Sequence, residues 1–417
     1  MKKILAILLC LCMVLAVVAC NKTEDTTETT AATTAPVTEA ATEEVTEAAT
    51  TEAATTEAAT TEETTTEETT TEEATTEAPV VEVEYKLGMG VVVDTASSAS
   101  ATADKAGTAQ IDATVAVVVL DKDGKIVSCR LDAVQNKITV NADGTVSVPE
   151  TFQTKMEKGD AYGMAAAVNY GMDWNGDGIV KEWYDQAKAF EAHVVGKTAA
   201  EVEAMATQVV EGSGYVISAD EALLTAGCTI QITDFKAAVV KACNDDQAMS
   251  FKTSSEFTVG VAATSANDST ADATAEADGV VAVYSDFAAA VVVDGKIIAS
   301  LNDAIQPKIA ITAEGAIGET TFKGTKRELK EGYNMAAYGQ SMDWNGDGHV
   351  YEWYIQSAAF SNHVVGMTAE EVAAMATQVV EGSGYVISAD EDLLAAGCTI
   401  QITAIKEVVA KSVTNAR

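Results

Sequence analysis

Short segments in which apolar and polar residues alternate predict the first elements of this chain. Thr114–Leu120 is apolar and rich in β-branched residues, Asp123-Gly124 is a hairpin turn signal, and Lys125–Leu131 alternates. This pattern predicts a β-hairpin. A third strand is predicted over Lys137–Asn141, before a second turn signal at Asp143-Gly144.

The hydrophobic period then changes from that of a strand to that of a helix. Lys181–Val195 carries its large apolar side chains on one helical face and ends at Gly196. Those apolar side chains are Trp183, Ala187, Phe190 and Val194.

Three further elements complete the unit. Two capping boxes, Thr198 with Glu201 and Ser218 with Glu221, predict the starts of two more helices. A strand over Thr229–Thr233 and a helix over Asp234–Ala242 follow. Strands followed by helices predict an α+β fold, in which helices pack on a mostly antiparallel sheet.

The whole unit occurs twice. Met-Asp-Trp-Asn-Gly-Asp-Gly begins at 172 and at 342, and Gly-Ser-Gly-Tyr-Val-Ile-Ser-Ala-Asp-Glu begins at 212 and at 382. The constant spacing predicts two tandem domains, 81–248 and 254–417, joined by a short polar segment. The near-identity of their carboxyl portions is also expected of a recent duplication.

The amino terminus has the pattern of a secretory signal. Lys2 and Lys3 precede an apolar run from Ile4 to Ala19, which is followed by Cys20. Val-Val-Ala-Cys resembles the bacterial lipobox, which implies cleavage after residue 19, lipidation of Cys20 and a membrane anchor on the extracellular face. The alternative is an uncleaved anchor or a buried helix with an incidental cysteine.

Residues 20–80 combine the lipidated cysteine with a segment dominated by Thr, Glu and Ala. With almost no large apolar side chain it cannot offset its chain entropy by burial, so we expect a disordered stalk. The chain has a formal charge of −37. This charge argues against nucleic acid and against anionic lipid as partners.

Cysteine usage does not predict a disulfide framework. Among the cysteines after Cys20, only Cys228 and Cys398 are equivalent in the two repeats, whereas Cys129 and Cys243 have no counterpart. This favours free buried thiols. A bridge from Cys228 to Cys398 would require the repeats to face each other symmetrically.

The sharpest motif is D-x-N-x-D-G, which resembles the calcium loops of EF-hand and dockerin-type sites. Oxygen ligands at the first, third and fifth positions, a turn glycine at the sixth and a carbonyl at the seventh suit a hard cation. The resemblance assigns metal ligation to Asp173, Asn175, Asp177, Ile179 and Glu182, and to Asp343, Asn345, Asp347, His349 and Glu352.

The motif departs from its family at the twelfth position. Tyr184 and Tyr354 stand where a bidentate glutamate belongs, and the shared acid comes two residues earlier. Either a shortened loop uses Glu182 and Glu352, or the site is incomplete and weak. The alternative without a metal is an Asp/Gly-rich turn whose acids cap the following helix.

A broader resemblance covers most of each repeat. The hairpin at 123–128, the Lys-Glu-Trp-Tyr helix at 181–184 and Val-Val-Gly-Lys-Thr at 194–198 resemble a family of uncharacterised surface lipoproteins of anaerobic Gram-positive bacteria. That family is distantly similar to FMN-binding domains, which implies a flavin-binding redox lipoprotein as an alternative function. The Ser-Gly-Ala-Thr-like attachment motif of covalent flavoproteins does not occur, since Ser100-Ala101-Thr102 lacks the glycine and lies upstream of the hairpin.

The histidines and tryptophans are open to structural interpretations. His193 and His363 are equivalent and precede a glycine near a helix end, where capping or packing is expected in preference to metal ligation or catalysis. The four tryptophans, at 174, 183, 344 and 353, are expected to pack against the core; exposed, they would bind sugar or a protein.

No sequence pattern of a hydrolase or a nucleotide enzyme is present, and whether the chain is an enzyme stays open. The sequence therefore predicts a cell-surface binding or structural module with two calcium-binding repeats. Its ligand is an unidentified extracellular molecule or protein.

Overall fold

The structure is a computed structural model, and it describes residues 81–417. The predicted signal peptide, Cys20 and the predicted stalk lie outside the described residues. The elements of the first repeat are β1 (Val83–Asp94), β2 (Gly107–Leu120), β3 (Ile126–Val140), β4 (Val146–Ser147), α1 (Lys155–Lys158), two 3-10 segments (Gly159–Tyr162 and Met164–Tyr170), α2 (Trp183–Val194), α3 (Ala199–Glu203), β5 (Thr207–Val209), β6 (Val216–Ser218), α4 (Glu221–Thr225), α5 (Thr233–Cys243) and β7 (Met249–Thr253).

The second repeat has the same order of elements on its helical side. Its elements are β8 (Thr258–Asn267), β9 (Gly279–Val293), β10 (Lys296–Ile305), β11 (Lys308–Ile311), β12 (Ile317–Thr321), α6 (Lys326–Leu329), two 3-10 segments (Lys330–Tyr333 and Met335–Met342), α7 (Trp353–His363), α8 (Ala369–Ala373), β13 (Thr377–Val379), β14 (Val386–Ser388), α9 (Glu391–Ala395) and α10 (Thr403–Thr414).

Each repeat builds one large open antiparallel sheet and a separate two-stranded hairpin, β5–β6 or β13–β14, which confirms the predicted α+β class. The first sheet has the strand order β4-β3-β2-β1-β7. In the second, β9 pairs with β8, β10 and β11, and β12 extends the sheet beyond β11. A bulge beside each hairpin turn, at Ile126 and at Ile297, fixes equivalent registers in the two sheets.

The two sheets share a core, so the described residues form one compact unit. Alternate side chains of β2, such as Val115 and Val117, enter a cluster that also contains Phe287 and Val291 of β9. The opposite face of β2, with Val118, packs under α5, and α2 covers the neighbouring β3. An equivalent cluster lies beneath α7 and α10. The repeats therefore stack as helices, sheet, sheet and helices rather than as two independent bodies.

Several element predictions are corrected. The third strand is the continuation of β3, and the polar segment expected between the domains contains β7, which pairs with β1. Thr229–Thr233 is not a strand, since Gln186 accepts from the N–H groups of Thr229 and Ile230 and the Val216 carbonyl accepts from that of Ile232. The predicted box at Ser218 is also different, since Asp220 is the N-cap of α4 and Glu221 its first residue. The box at Thr198 is confirmed.

The two tryptophans of each repeat differ in environment. Trp183 and Trp353 lie, as expected, in the hydrophobic clusters between the helices and the sheet of each repeat, which we call the outer cores. Trp174 and Trp344 are half-buried and contact tyrosines instead.

Among the helices of the described segment, none has the length and apolar character needed to cross a membrane.

Candidate metal centre

The candidate metal centre is the acidic loop of each repeat, which we define as 173–182 and 343–352. Asp173 organises the first loop, because its Oδ1 accepts from the N–H of Gly176 at 3.0 Å and of Asp177 at 3.2 Å. Its Oδ2 accepts from the N–H of Gly178 at 2.7 Å. Gly176 and Gly178 have φ of +72° and +79°, a conformation that glycine adopts without strain.

The second loop repeats this geometry. Asp343 accepts from the N–H groups of Gly346, Asp347 and Gly348 at 2.9, 3.2 and 2.9 Å. A carboxylate has about four lone-pair sites, so these bonds leave acceptor capacity on both aspartates.

The third position of each loop carries a buried oxygen that lacks a protein partner. Asn175 Nδ2 donates to Asp177 Oδ2 at 2.8 Å and to the carbonyl of Leu224 at 3.4 Å. The amide is thereby oriented, and its Oδ1 is buried with no hydrogen-bond partner among the described residues. Asn345 has the same two contacts, at 2.9 and 3.0 Å, and the same orphaned oxygen.

The fifth and seventh positions are exposed. Asp177 Oδ1 accepts from the N–H of Ile179 at 2.8 Å, and Asp347 Oδ1 accepts from the N–H of His349 at 2.7 Å. The side chain of Ile179 is 61% exposed, so its contribution to the loop is made by the backbone.

The structure places Glu182 and Glu352 elsewhere. Glu182 is the N-cap of α2, and its two oxygens accept from the N–H groups of Met164 and Ala165 at 2.8 and 3.0 Å. Glu352 binds Met335 and Ala336 in the same way. The two glutamates therefore tie α2 and α7 to the preceding 3-10 segments. Within residues 81–417, no three His, Cys, Asp or Glu side chains converge as a metal site would require.

Tyr184 and Tyr354, at the twelfth position, also bind outside the loops. Tyr184 donates to Asp160 at 3.0 Å, and Tyr354 donates to Glu331 at 2.8 Å. The ligand set that each loop brings together is thus reduced to Asp, Asn and Asp, with the seventh-position backbone beside them.

Each acidic loop is held against the carboxyl end of a short helix and against a hairpin. Asn175 binds the Leu224 carbonyl at the end of α4, and Lys181 Nζ donates to the Ala226 carbonyl at 2.8 Å. Trp174 lies on Tyr215, with ring centroids 6.2 Å apart. The two stretches that identify the duplication, at 172 and at 212, are therefore in contact.

Gln186 is a positioning residue that the sequence reasoning missed. It is fully buried; its Oε1 accepts from the N–H of Thr229 at 2.8 Å and of Ile230 at 3.0 Å, and its Nε2 donates to the Lys181 carbonyl at 2.7 Å. Gln356 makes the equivalent bonds to Thr399 and Tyr351. The sequence signal for this role is an amide side chain on the apolar face of the predicted helix, where a buried polar group needs hydrogen-bond partners.

The paired histidines contact helix caps. His193 Nε2 lies 3.5 Å from Asp220 Oδ2, and His363 Nε2 lies 3.5 Å from Asp390 Oδ2. Burial and the nearby Lys197 lower the pKa of His193. Asp220 already accepts from the N–H groups of Ala222 and Leu223, so this pair closes the start of α4 rather than forming a nucleophile site.

Three buried carboxyls titrate unusually. Burial raises the pKa of Asp132 and Asp303 to about 6, and the Oδ1 of each accepts two backbone N–H groups next to α1 and α6. Burial raises the pKa of Asp286 to about 7 in spite of the nearby Lys326. The Lys326 ammonium donates to the Tyr284 hydroxyl and lies over the ring of Trp353. Lys326 and the neighbouring Asp286 therefore belong to the packing of the second repeat.

The segment considered for flavin attachment forms part of a turn before β2. Thr102 Oγ1 donates to the Lys105 carbonyl at 3.4 Å, and Ser100 Oγ accepts from the N–H of Ile317 at 2.9 Å.

No protein-family model, curated protein or solved structure matches this chain. The chemistry of the acidic loops therefore carries the functional argument.

Proposed function

We propose that this chain is a cell-surface lipoprotein whose two repeats each bind one calcium ion and serve as a binding or structural module. The observation that carries the proposal is the orphaned amide oxygen of Asn175 and Asn345. A buried oxygen without a partner costs about 1–3 kcal/mol, and a coordinated cation removes that cost. Calcium fits because all the donors available in the loop are oxygens.

The donor set argues for weak binding. Asp173, Asn175, Asp177 and the Ile179 carbonyl would hold the ion, while both oxygens of Glu182 accept backbone N–H groups. With no bidentate glutamate, water completes the coordination, and we expect a dissociation constant of about 10⁻⁴ to 10⁻³ M. Calcium outside a cell fills a site of that strength in part, so the ion would stabilise the displayed module without acting as an intracellular sensor.

Thermal unfolding in calcium and in EDTA tests the proposal. Binding stabilises the folded state by roughly 2.7 kcal/mol at a hundredfold excess over the dissociation constant, so the Tm should rise with calcium concentration. Replacement of all four loop aspartates by alanine, at 173, 177, 343 and 347, should abolish the rise. The matched control removes four exposed acids outside the loops, Asp104, Glu150, Glu276 and Glu314, and should keep it.

A second measurement separates a metal site from a simple turn. Trp174 and Trp344 lie within the loops, so terbium bound there should show luminescence when the indole is excited, and calcium should quench it by competition. Asn175→Asp with Asn345→Asp should tighten binding by adding charge, whereas a simple turn would only lose the Nδ2 hydrogen bonds. Identical melting in calcium and EDTA together with no terbium emission would refute the proposal.

The anchor is supported by sequence alone. If Cys20 is lipidated, Cys20→Ala should move the protein from the detergent phase to the aqueous phase or leave its signal peptide uncleaved. Unchanged detergent partitioning of that variant would rule out a lipid at this position.

A further inference from the structure

The longest identical stretch of the two repeats lies on the surface. Residues 204–221 match 374–391 at every position. In contrast β2 and β9, aligned at their hairpin bulges, share only Gly107, Ala116 and Val119 with Gly279, Ala288 and Val291. A recent duplication accounts for identity between the repeats, but not for its concentration in one part of them. Because exposed positions tolerate substitution better than core positions, packing does not explain the identical stretch.

The centre of this stretch is the hairpin β5–β6. Ala219 N–H donates to the Ala206 carbonyl and Val210 N–H donates to the Tyr215 carbonyl, so Gln208 also bonds inward, toward β6. The backbone groups of Thr207 and Val209 consequently point away from β6. All three residues of β5 are exposed, and the side chain of Val209 is 66% exposed.

The other edges near this hairpin are blocked. On β1, Lys241 Nζ donates to the Val91 carbonyl at 2.6 Å and Asp245 accepts from the N–H of Met89 at 3.0 Å. On β6, the outward carbonyl of Val216 accepts from the N–H of Ile232 at 3.2 Å.

The second large sheet is protected in a similar way. Lys411 Nζ donates to the Ala263 carbonyl of β8 at 2.7 Å, and Asn415 Nδ2 donates to the Val261 carbonyl at 3.0 Å. Within the described part of the chain, β5 and β13 pair only with β6 and β14. Both strands are short, with three residues each, but neither carries the lysine, proline or bulge that also protects edge strands.

We propose that β5 and β13 each accept an extended segment of another polypeptide as a third strand. Main-chain hydrogen bonds to Thr207 and Val209 would supply the attachment, as in other strand-addition complexes. Exposed Glu211 and Glu381 follow the two strands, so the segment that complements them is basic. A second copy of this chain is disfavoured, since residues 81–417 carry 47 acidic and 23 basic side chains, a formal charge of −24.

The probe is a synthetic hexapeptide, Lys-Thr-Val-Thr-Val-Lys, acetylated and amidated at its ends and titrated into the full chain. Amide chemical shifts of Thr207, Val209, Thr377 and Val379 should move on saturable binding. A version N-methylated at alternate amides cannot donate to the edge, so it should not bind. A version with glutamate in place of both lysines should bind several-fold more weakly at low salt.

Variants of the protein provide an independent arm. Val209→Pro with Val379→Pro removes outward N–H groups that the hairpins do not use, and should abolish peptide binding. Val209→Thr with Val379→Thr keeps those N–H groups and should retain binding. Circular dichroism checks that both variants fold. If the proline variant does not fold, the N-methylated peptide still tests whether binding uses the edge of β5 and β13.

Two results would overturn the proposal. One is that the unmethylated peptide does not bind, or binds equally to the proline variant. The other is concentration-dependent association of the unmodified chain in sedimentation that the proline variant lacks, since the edges would then pair between copies. Both results are independent of calcium, so failure here leaves the metal proposal standing.

Discussion

Arg417, the last residue of the second repeat, forms an ion pair with Glu191 on α2 of the first repeat, with Nη2 lying 2.7 Å from Oε2. Glu191 is almost completely buried, and it also accepts from the N–H of Leu131 at 2.8 Å. Burial raises the pKa of Glu191, and the Arg417 guanidinium opposes that rise. Arg130, at 4.0 Å, is a second cation for the same carboxylate.

Arg417→Ala should therefore lower the free energy of unfolding by about 2 kcal/mol, because it leaves a buried carboxylate with only a distant partner. Chemical denaturation measures the change. Adding Glu191→Ser, which introduces the residue found at the equivalent Ser361, should recover part of the loss. The exposed pair Lys252–Glu84, at 3.8 Å, is the control, and Lys252→Ala should change stability by less than about 0.5 kcal/mol. Equal losses in the two alanine variants would contradict this account.

The shared core predicts that the repeats unfold together. Phe287 is fully buried between the sheets, and Phe287→Ala should cost about 3–5 kcal/mol. Each repeat carries two tryptophans, so a Trp174→Phe/Trp183→Phe variant and a Trp344→Phe/Trp353→Phe variant let fluorescence follow each repeat by itself. Both probes should report one transition, shifted equally by Phe287→Ala. Two separate transitions would mean that the repeats are independently stable.

Part of this architecture was visible in the sequence. The hairpin of β2 and β3 and the helices α2 and α5 follow directly from periodicity and turn residues. The face-to-face packing did not, although the unbroken apolar run Val115–Leu120 is the pattern of a strand buried on both faces.

Other errors arose where tertiary contacts override local preference. The β-branched residues near Thr229 predicted a strand. The buried Gln186 side chain instead accepts from the N–H groups of Thr229 and Ile230, so these groups are not available to pair with a neighbouring strand. The resemblance to calcium loops made Glu182 a candidate ligand and left an incomplete site as the alternative. Spacing could not show that two N–H groups of the preceding 3-10 segment lie within reach of its carboxylate.

Gln186→Ala should destabilise the protein by about 2–4 kcal/mol, because it leaves the N–H groups of Thr229 and Ile230 and the Lys181 carbonyl without their partner. Gln356→Ala should have a similar effect in the second repeat. Gln208→Ala, which removes one exposed amide bonded to the Ser218 carbonyl, is the matched control and should cost well under half as much. Equal effects of Gln186→Ala and Gln208→Ala on the denaturation midpoint would show that Gln186 does not position these segments.

Asp132 and Asp303 predict a dependence of stability on pH. Burial raises the pKa of each from its ordinary value of 3.8 to about 6 in the folded state. Folded protein therefore binds more protons than unfolded protein between these values, and its free energy of unfolding falls as pH rises through this window. Asp132→Asn with Asp303→Asn should remove this pH dependence, which amounts to on the order of 3 kcal/mol per carboxyl across the window. Denaturation at several pH values measures it, and an unchanged slope between variant and parent would refute the assignment.

The four cysteines of the described segment should be free and unreactive in the folded protein. Burial raises the pKa of Cys228 and of Cys398 to about 12, that of Cys243 to about 11, and that of Cys129 well above its ordinary value. Cys228 and Cys398 lie in different outer cores, on opposite sides of the paired sheets, so they are too far apart for the alternative of a bridge between them, and the predicted free thiols are confirmed. At neutral pH the lower thiolate fraction should slow alkylation by iodoacetamide about a thousandfold at Cys228 and Cys398, and about a hundredfold at Cys243, relative to an exposed thiol. Mass spectrometry should find all four sites modified once guanidinium unfolds the chain without a reductant, whereas two sites modified only after reduction would reveal a disulfide.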